Sequence, residues 1–285
     1  MWGKGRWQQD GGWSNPTVAA VAFQGVGDIV GGANAYFGMR AYNAAYATGS
    51  NPSVDLVDQS GANPITINIL ANGFIDITSI NAWVTAHSVT TIKVKRVYDQ
   101  TGNNRHLNQG TVAAMPTLTM SAISGIPALT FNSVAGTWMD GTTTIAASSP
   151  CTISGVFKRT GSFTIASFFA GDAAITAGIG FGASANTSMA NFGTVQTQAA
   201  TDNVWHAIQG VGSATVGALN TDGTDTGNIN TGTNNIPNSA RIGASGAGIF
   251  VDGLMTEAVM YSSGLNATQR GNLNTNQHGL SGFNF

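Results

Sequence analysis

The sequence is short of charge. Only 8% of its 285 residues are Asp, Glu, Lys or Arg, against roughly 25% in typical soluble domains. The 11 Lys and Arg residues are scattered and the formal net charge is -2. That excludes the basic stripe expected of a nucleic-acid binder and a polybasic membrane patch. Among 13 acids there is one glutamate, Glu257. A single cysteine, Cys151, excludes an internal disulfide. Four histidines without close spacing, and no second thiol, argue against a zinc centre. No apolar run is long enough to cross a bilayer. The opening residues, MWGKGRWQQDGGWSNP, lack the apolar core of a signal peptide. A cytoplasmic chain, or one released by lysis, is the expectation.

Glycine is plentiful instead, at 38 residues, and 42% of the chain is hydrophobic. That is enough apolar material for a packed fold, and the glycines predict a β protein with many turns. Residues 1–24 read as an arm carrying Trp2, Trp7 and Trp13. Three large aromatics are costly to leave in water, so they are expected to dock on their own domain or on a partner. Residues 25–114 read as a lead-in packed on the domain that follows, and 24–285 as a single unit is the other division.

Within the lead-in, residues 33–47 predict a helix with Phe37, Ala41, Ala44 and Ala45 on one face, stopped by Gly49 and Pro52. Asp76 predicts the cap of a second helix, with Ile77, Ile80 and Val84 at helical spacing. "TTIKVKRVY" (90–98) alternates as a strand. From residue 115 short strands follow one another, among them "CTISGVFKR", "MANFGTVQT", "VWHAIQGVG" and "GLMTEAVMYS". Their regular spacing predicts a sandwich or barrel. Residues 221–235 read as a long exposed connection opening at the Asp222-Gly223 turn. Residues 265–277 predict a final helix with Asn266 as cap and Gln269 completing a capping box, although Gly271 opposes it.

Behind the first long strand lies "YDQTGNNRHLNQ" (98–109), where an acid and a histidine flank an amide-rich turn. Asp99 is placed to accept backbone amides. Gly102 supplies a residue suited to positive φ, and Asn103 and Asn104 tolerate the same region. The stretch is read as a structural turn. Trp205-His206 is read as a core aromatic beside a surface histidine. Asp222 and Asp225 with nearby carbonyls form the candidate Ca²⁺ site; loops of this composition are usually solvated turns, so no cofactor is expected. "AGIGFGAS" imitates a phosphate loop but lacks the following Lys-Ser/Thr.

"CTISGVFKRTG", "TDNVWHAIQGVGSATVGALNTDG", "ARIGAS" and "GLMTEAVMYSSGLNATQRGNL" together resemble the concanavalin A-like, laminin-G-type lectin sandwich. The resemblance implies an all-β, antiparallel jelly roll with a few short helices over 115–285. "IKVKRVYDQTGNNRHLNQGTVAAMPTL" is similar to the catalytic domain of α-L-arabinofuranosidases, and "GDIVGGANAYFGMRAYNAAYA" resembles tailed-phage virion proteins that carry this module. Glycoside hydrolysis needs two flanking carboxyls. Where the hydrolase family places its catalytic Glu this chain has Ala190, and where it places its Asp the nearest counterpart is Ser245. Glu257 stands where the lectin-type family uses an acid to hold its last strand.

Three readings follow from the likeness. The leading one is a non-enzymatic bacteriophage structural protein (capsid decoration, fibre or tail spike), assembled in the host cytoplasm. Its Trp arm would bind other virion proteins, its sandwich would face host surface polysaccharide, and a homo-oligomer, taken as a trimer, is expected. The second is a carbohydrate-binding module using Trp138 and the 221–235 loop, with Asp222 and Asn230 in contact. The third is a hydrolase with relocated acids among Asp99, Asp140, Asp172 and Asp252.

Overall fold

In chain order the strands are β1 (Ala35–Gly38), β2 (Asn51–Val57), β3 (Ile65–Ile69), β4 (Lys93–Val97), β5 (Leu107–Asn108), β6 (Thr117–Ile123) and β7 (Ile126–Phe131). There follow β8 (Met139–Gly141), β9 (Cys151–Arg159), β10 (Ala166–Gly171), β11 (Gly178–Phe181), β12 (Thr187–Asn191), β13 (Val195–Ala199) and β14 (Trp205–Gly212). The last are β15 (Ala218–Thr221), β16 (Thr224–Asp225), β17 (Ala240–Ile242), β18 (Ala244–Ser245), β19 (Ile249–Phe250) and β20 (Gly253–Tyr261). The helices are α1 (Val26–Ile29), α2 (Ile77–His87) and α3 (Ala267–Gly279). This computed structural model describes residues 22–280, apart from 142, 144, 146–147, 162–165, 172–176, 183, 235–239 and 246–248. Trp2, Trp7, Trp13 and Asp172 lie outside the described residues.

Among the described residues every strand pairing is antiparallel, and apart from the small β18-β19 sheet the pairings resolve into two layers. The front sheet runs β1-β20-β9-β14-β15-β16. The back sheet runs β3-β2-β4-β5-β8-β17-β10-β11-β12-β13. The β6-β7 hairpin joins them on one side, pairing with β20 through β7 and with β4 through β6. Of the sandwich or barrel that the strand spacing predicts, the fold observed is an antiparallel β-sandwich, as the lectin-type resemblance implied. Its core lies between the layers, with Met139, Phe169, Ile179 and Ile242 of the back sheet facing Ile153, Phe157 and Ile208 of the front. Gly210 and Gly212 of β14 are required by that packing. A Cβ on Gly212 would stand 2.4 Å from the Phe192 ring, and one on Gly210 would stand 2.7 Å from Ile179.

The predicted helix over 33–47 is not formed. Residues 35–38 are strand β1, paired to β20, and only Ala44–Tyr46 make a single 3₁₀ turn. Ala35, Tyr36, Phe37 and Met39 are all fully buried, because β1 has core on one face and a second cluster of Tyr42, Val259, Tyr261 and Leu273 on the other. A strand buried on both faces shows no alternation, so periodicity cannot separate it from a helix. "MANFGTVQT" is likewise not one strand but the β12-β13 hairpin, turning at Gly193 with φ +105. The 221–235 connection is not wholly exposed: β16 pairs with β15, and Thr231 is fully buried. By contrast Asp76 caps α2, and Asn266 and Gln269 make the capping box of α3.

Helix α3 covers the outer face of the front sheet through polar side chains. Val259, Ser154, Gln209, Asn220 and Asp225 are direct cross-strand partners in one row. Ser154 donates to Gln277 Oε1 at 2.7 Å, Gln209 Nε2 to the Arg270 carbonyl at 3.2 Å, and Asn274 to Asn220 at 3.2 Å. Arg270 Nε donates to Asp225 Oδ2 at 2.6 Å. Beside this row Arg40 forks onto both oxygens of Glu257, at 2.6 and 3.0 Å, and the Tyr36 hydroxyl donates to the same carboxylate. Glu257 thus holds the last strand, as its place in the lectin-type pattern implied.

Candidate functional site

The back sheet carries its own polar row, and no helix lies along it among the described residues. Register fixes it: Thr66 is opposite Asp55, Asp55 opposite Arg96, Arg96 opposite Asn108, Asn108 opposite Asp140, and Asp140 opposite Arg241. Directly opposed residues in antiparallel strands project to the same face. The alternate positions, Val94, Val97, Leu107, Met139 and Ile242, are core, so this row faces outward. Side-chain exposure is 20% at Asp55, 40% at Arg96 and 30% at Asp140. Past β17 the row continues through Ala170 and Gly178 to Asn191, and there Asn191 is buried.

Trp138 immediately precedes β8, and its ring belongs to this face because it packs against Arg241 of the row. The Arg241 guanidinium carbon lies 4.7 Å from the Trp138 ring centroid. Arg241 also donates from Nε and Nη2 to the two oxygens of Asp140, each at 2.7 Å. A planar fork meeting a carboxylate in this way has fixed geometry. The indole's backbone is fixed as well, since its amide donates to the Ala114 carbonyl and its carbonyl accepts from Gln109 Nε2. The turn before it is pinned by Asp252, which accepts from the Ser133 amide and hydroxyl at 2.6 Å each. The result is a partly exposed aromatic ring beside an ordered set of donors and acceptors.

The 98–109 turn is tied together by hydrogen bonds to Asp99. Asp99 is buried and accepts from the amides of Tyr36, Thr101 and Arg105, which ties the turn to β1. Gly102 and Asn104 have φ +86 and +56. Asn103 instead uses its side-chain amide, donating to Thr101 Oγ1 at 2.9 Å and to the Asn34 carbonyl at 3.0 Å. His106 Nδ1 accepts from the Asp99 amide at 3.0 Å. Burial, followed by the charge of Arg96, pushes its pKa down.

Trp138, Asp222 and Asn230 are not brought together. Asp222 belongs to the front sheet side, where it bonds His206 Nδ1 and accepts from the Ala207 amide, with His278 Nε2 3.4 Å away. His206 is therefore not a surface residue: it is 5% exposed, and its Nε2 faces the Thr201 carbonyl at 2.8 Å. With Asp222 bound to imidazole and Asp225 bound to Arg270, the proposed Ca²⁺ pair is committed elsewhere. Asn230 is exposed, five strands from β8, and its side chain accepts from the Gly232 amide.

Ala190 is buried on the core face, against Gly210, while its neighbour Asn191 takes the outward position of β12. Ser245 lies in β18, paired with Ile249. Of the acids named as relocated catalytic groups, Asp99 is inside its turn and Asp252 holds the 133 turn. Among the described ones, Asp140 alone faces outward beside an aromatic. A separate surface cleft lined by Ala122, Ile123, Lys158, Asn203, Val204 and Trp205 contains no carboxylate. Arg241 and Arg96 were missed by sequence reasoning. "ARIGAS" places one charge, and "IKVKRVY" three, among apolar residues, but no local pattern says which strands become neighbours.

No protein-family model matches the sequence, and neither does any curated protein. Solved structures do match in fold. A mutant GH54 α-L-arabinofuranosidase soaked with 4-nitrophenyl α-L-arabinofuranoside aligns with a TM-score of 0.70 at 15% identity, over 90% of this chain and 66% of that one. The same type of enzyme soaked with a cyclic sulfate inhibitor gives 0.69 at 15%, with the same coverage. An arabinofuranosidase complexed with arabinofuranosyl-α-1,2-xylobiose gives 0.67 at 16%, over 90% and 65%. The chain thus spans about two-thirds of the length of those structures. At such identity the likeness is one of fold: an antiparallel β-sandwich structurally related to domains of carbohydrate-active enzymes.

Proposed function

We propose that this protein is a carbohydrate-binding β-sandwich that holds a glycan on the outer face of its back sheet without cutting it. The observation that carries this reading is Trp138, partly exposed and fixed beside the Asp140–Arg241 fork on a sheet face along which no helix lies among the described residues. An aromatic wall beside a few well-oriented polar groups suits a ligand that is apolar on its ring faces and hydroxylated at its edges. The absence of cutting is supported by Ala190, which stands where the resembling hydrolases place their Glu, and by Ser245, the nearest counterpart of their Asp. It is also supported by Asp140, whose two oxygens both accept from one guanidinium.

The test is retention on immobilised neutral polysaccharides, arabinoxylan among them, with Trp138→Ala as the variant. Retention of the wild type and a loss of about tenfold in affinity, the effect of roughly 1.4 kcal/mol, are expected. No retention of the wild type on any glycan, or equal retention of Trp138→Ala, overturns the reading. Incubation with 4-nitrophenyl α-L-arabinofuranoside is expected to release no nitrophenol, and enzyme-dependent release overturns the non-catalytic half.

A further inference from the structure

The arrangement at Trp138 occurs twice on the back sheet. One station is Asp140, Arg241 and Trp138. The other is Asp55, Arg96 and Tyr98, built on β2 and β4. The Arg96 guanidinium carbon lies 5.5 Å from the Tyr98 ring centroid, and its Nη1 stands 3.8 Å from Asp55 Oδ2. The Tyr98 hydroxyl donates to Asp55, at 3.1 Å from each oxygen. His106 packs edge-on against Tyr98 with centroids 4.9 Å apart, which fixes the phenol from behind. Each station thus combines a carboxylate, a guanidinium and a partly exposed ring on one sheet face.

Asn108 connects the two. It accepts from Arg96 Nε at 2.7 Å and is the direct cross-strand partner of Asp140. Arg96 and Arg241 are three strand steps apart, about 14 Å at the ~4.8 Å spacing of neighbouring strands. That span exceeds a single sugar, and an open face does not enclose a small molecule as pockets do. The charges within the row cancel, two aspartates against two arginines, and each guanidinium already has an acidic or amide acceptor. The row therefore offers hydrogen-bonding groups to hydroxyls rather than a net field to an acid.

We infer that the ligand is an uncharged polysaccharide lying across the strands, gripped at both stations with Asn108 between them. This rests on the carbohydrate-binding reading above and names its ligand class. The exposed Lys95, in the bulge beside Arg96, makes acidic polymers the competitor to exclude.

The experiment measures affinity of the full chain, by calorimetry, for neutral arabinoxylan and galactomannan and for acidic polygalacturonate. Oligosaccharides of two to eight units, prepared from whichever neutral polymer binds, complete the series. Binding to a neutral polymer is expected, strengthening with chain length and levelling once both stations are spanned. Tyr98→Ala is expected to weaken polymer binding about tenfold while leaving disaccharide binding at Trp138 unchanged. Asp55→Asn, which keeps side-chain shape, is expected to act in the same direction if Tyr98→Ala unfolds the edge of the sheet. Unchanged polymer affinity in both variants, or no dependence on length, overturns the two-station inference but leaves the Trp138 reading intact. Preference for polygalacturonate overturns the neutral class. No binding of the wild type to any of them overturns both.

Discussion

The two outer faces of this sandwich are built alike and finished differently. Each carries a row of opposed polar side chains crossing several strands. On the front sheet the row is buried under α3, and its groups bond to the helix: Ser154 to Gln277, Asn220 to Asn274, Asp225 to Arg270. On the back sheet members of the row bond to one another, Thr66 to Asp55, Arg96 to Asn108 and Arg241 to Asp140, and the row faces out. A buried polar row is a structural commitment, because each group removed from water needs its partner. A partly exposed row with fixed geometry lacks that justification, since surface ion pairs contribute little to stability. The contrast teaches that polarity alone does not mark a site; what marks it is ordered polarity that the fold does not need.

The sharpest way to break the comparison is to remove one acid from each face. Glu257→Ala strands Arg40, which is 4% exposed, and removes the acceptor of Tyr36. Losing one partner of a buried pair costs about 3–5 kcal/mol. Asp140→Ala removes an acid that is 30% exposed, for which about 1 kcal/mol or less is expected. Urea denaturation of both variants measures this. Comparable losses would mean that the back row is structural and would remove the main support for a site there.

A smaller effect separates the faces by pH. Both ring nitrogens of His206 face acceptors, Asp222 and the Thr201 carbonyl, and only the imidazolium can donate to both. Burial opposes the charge, but the Asp222 hydrogen bond and charge outweigh it and the His206 pKa is raised; for Asp222 burial is likewise outweighed, chiefly by His206, and its pKa is lowered. By linkage, the His206 contribution is fully present below the ordinary histidine range and is lost as pH rises through its raised value. The Asp222 contribution is present above the ordinary carboxylate range and is lost as pH falls through its lowered value. His206→Gln is therefore expected to cost about 2 kcal/mol near pH 5 and clearly less at pH 9. Denaturation midpoints at the two pH values measure the difference. Glycan affinity, resting on the other sheet, should not follow it. A pH-independent cost would mean the ring is neutral in the fold.

What the sequence revealed divides along the same line. Asp76 before Ile77, and Asn266 with Gln269, were legible because capping is settled within four residues. The turn at Asp99 was legible for the same reason. Strand β1 was not, since Tyr36 and Phe37 are buried on opposite faces and leave no period to read. The site was legible only in part. Trp138 was singled out as a large aromatic between glycines, but Asp140 and Arg241 are 101 residues apart, and their meeting depends on β8 and β17 pairing. Asp222 misled because an Asp-Gly turn looks solvated, whereas the two histidines that occupy it come from β14 and α3. Register across a sheet is a property of the assembled fold, and a row such as Asp55, Arg96, Asn108, Asp140 and Arg241 exists only there.

The smallest prediction tests whether the covered face is finished. Gly271 lies inside α3, its φ is not positive, and a Cβ built there meets nothing within 4 Å. A helix-interior glycine in open space loses about 0.8–1 kcal/mol of helix propensity relative to alanine, partly through the freedom it gives the unfolded chain. Gly271→Ala is therefore expected to raise stability by about 0.5–1 kcal/mol, seen as a higher urea midpoint, with glycan affinity unchanged. If stability rises but affinity falls, the outer side of α3 contributes to binding and the two faces are not divided as argued. If stability falls, the added methyl meets something on that side in solution, such as a second copy of the chain, and the front of the molecule has a further layer.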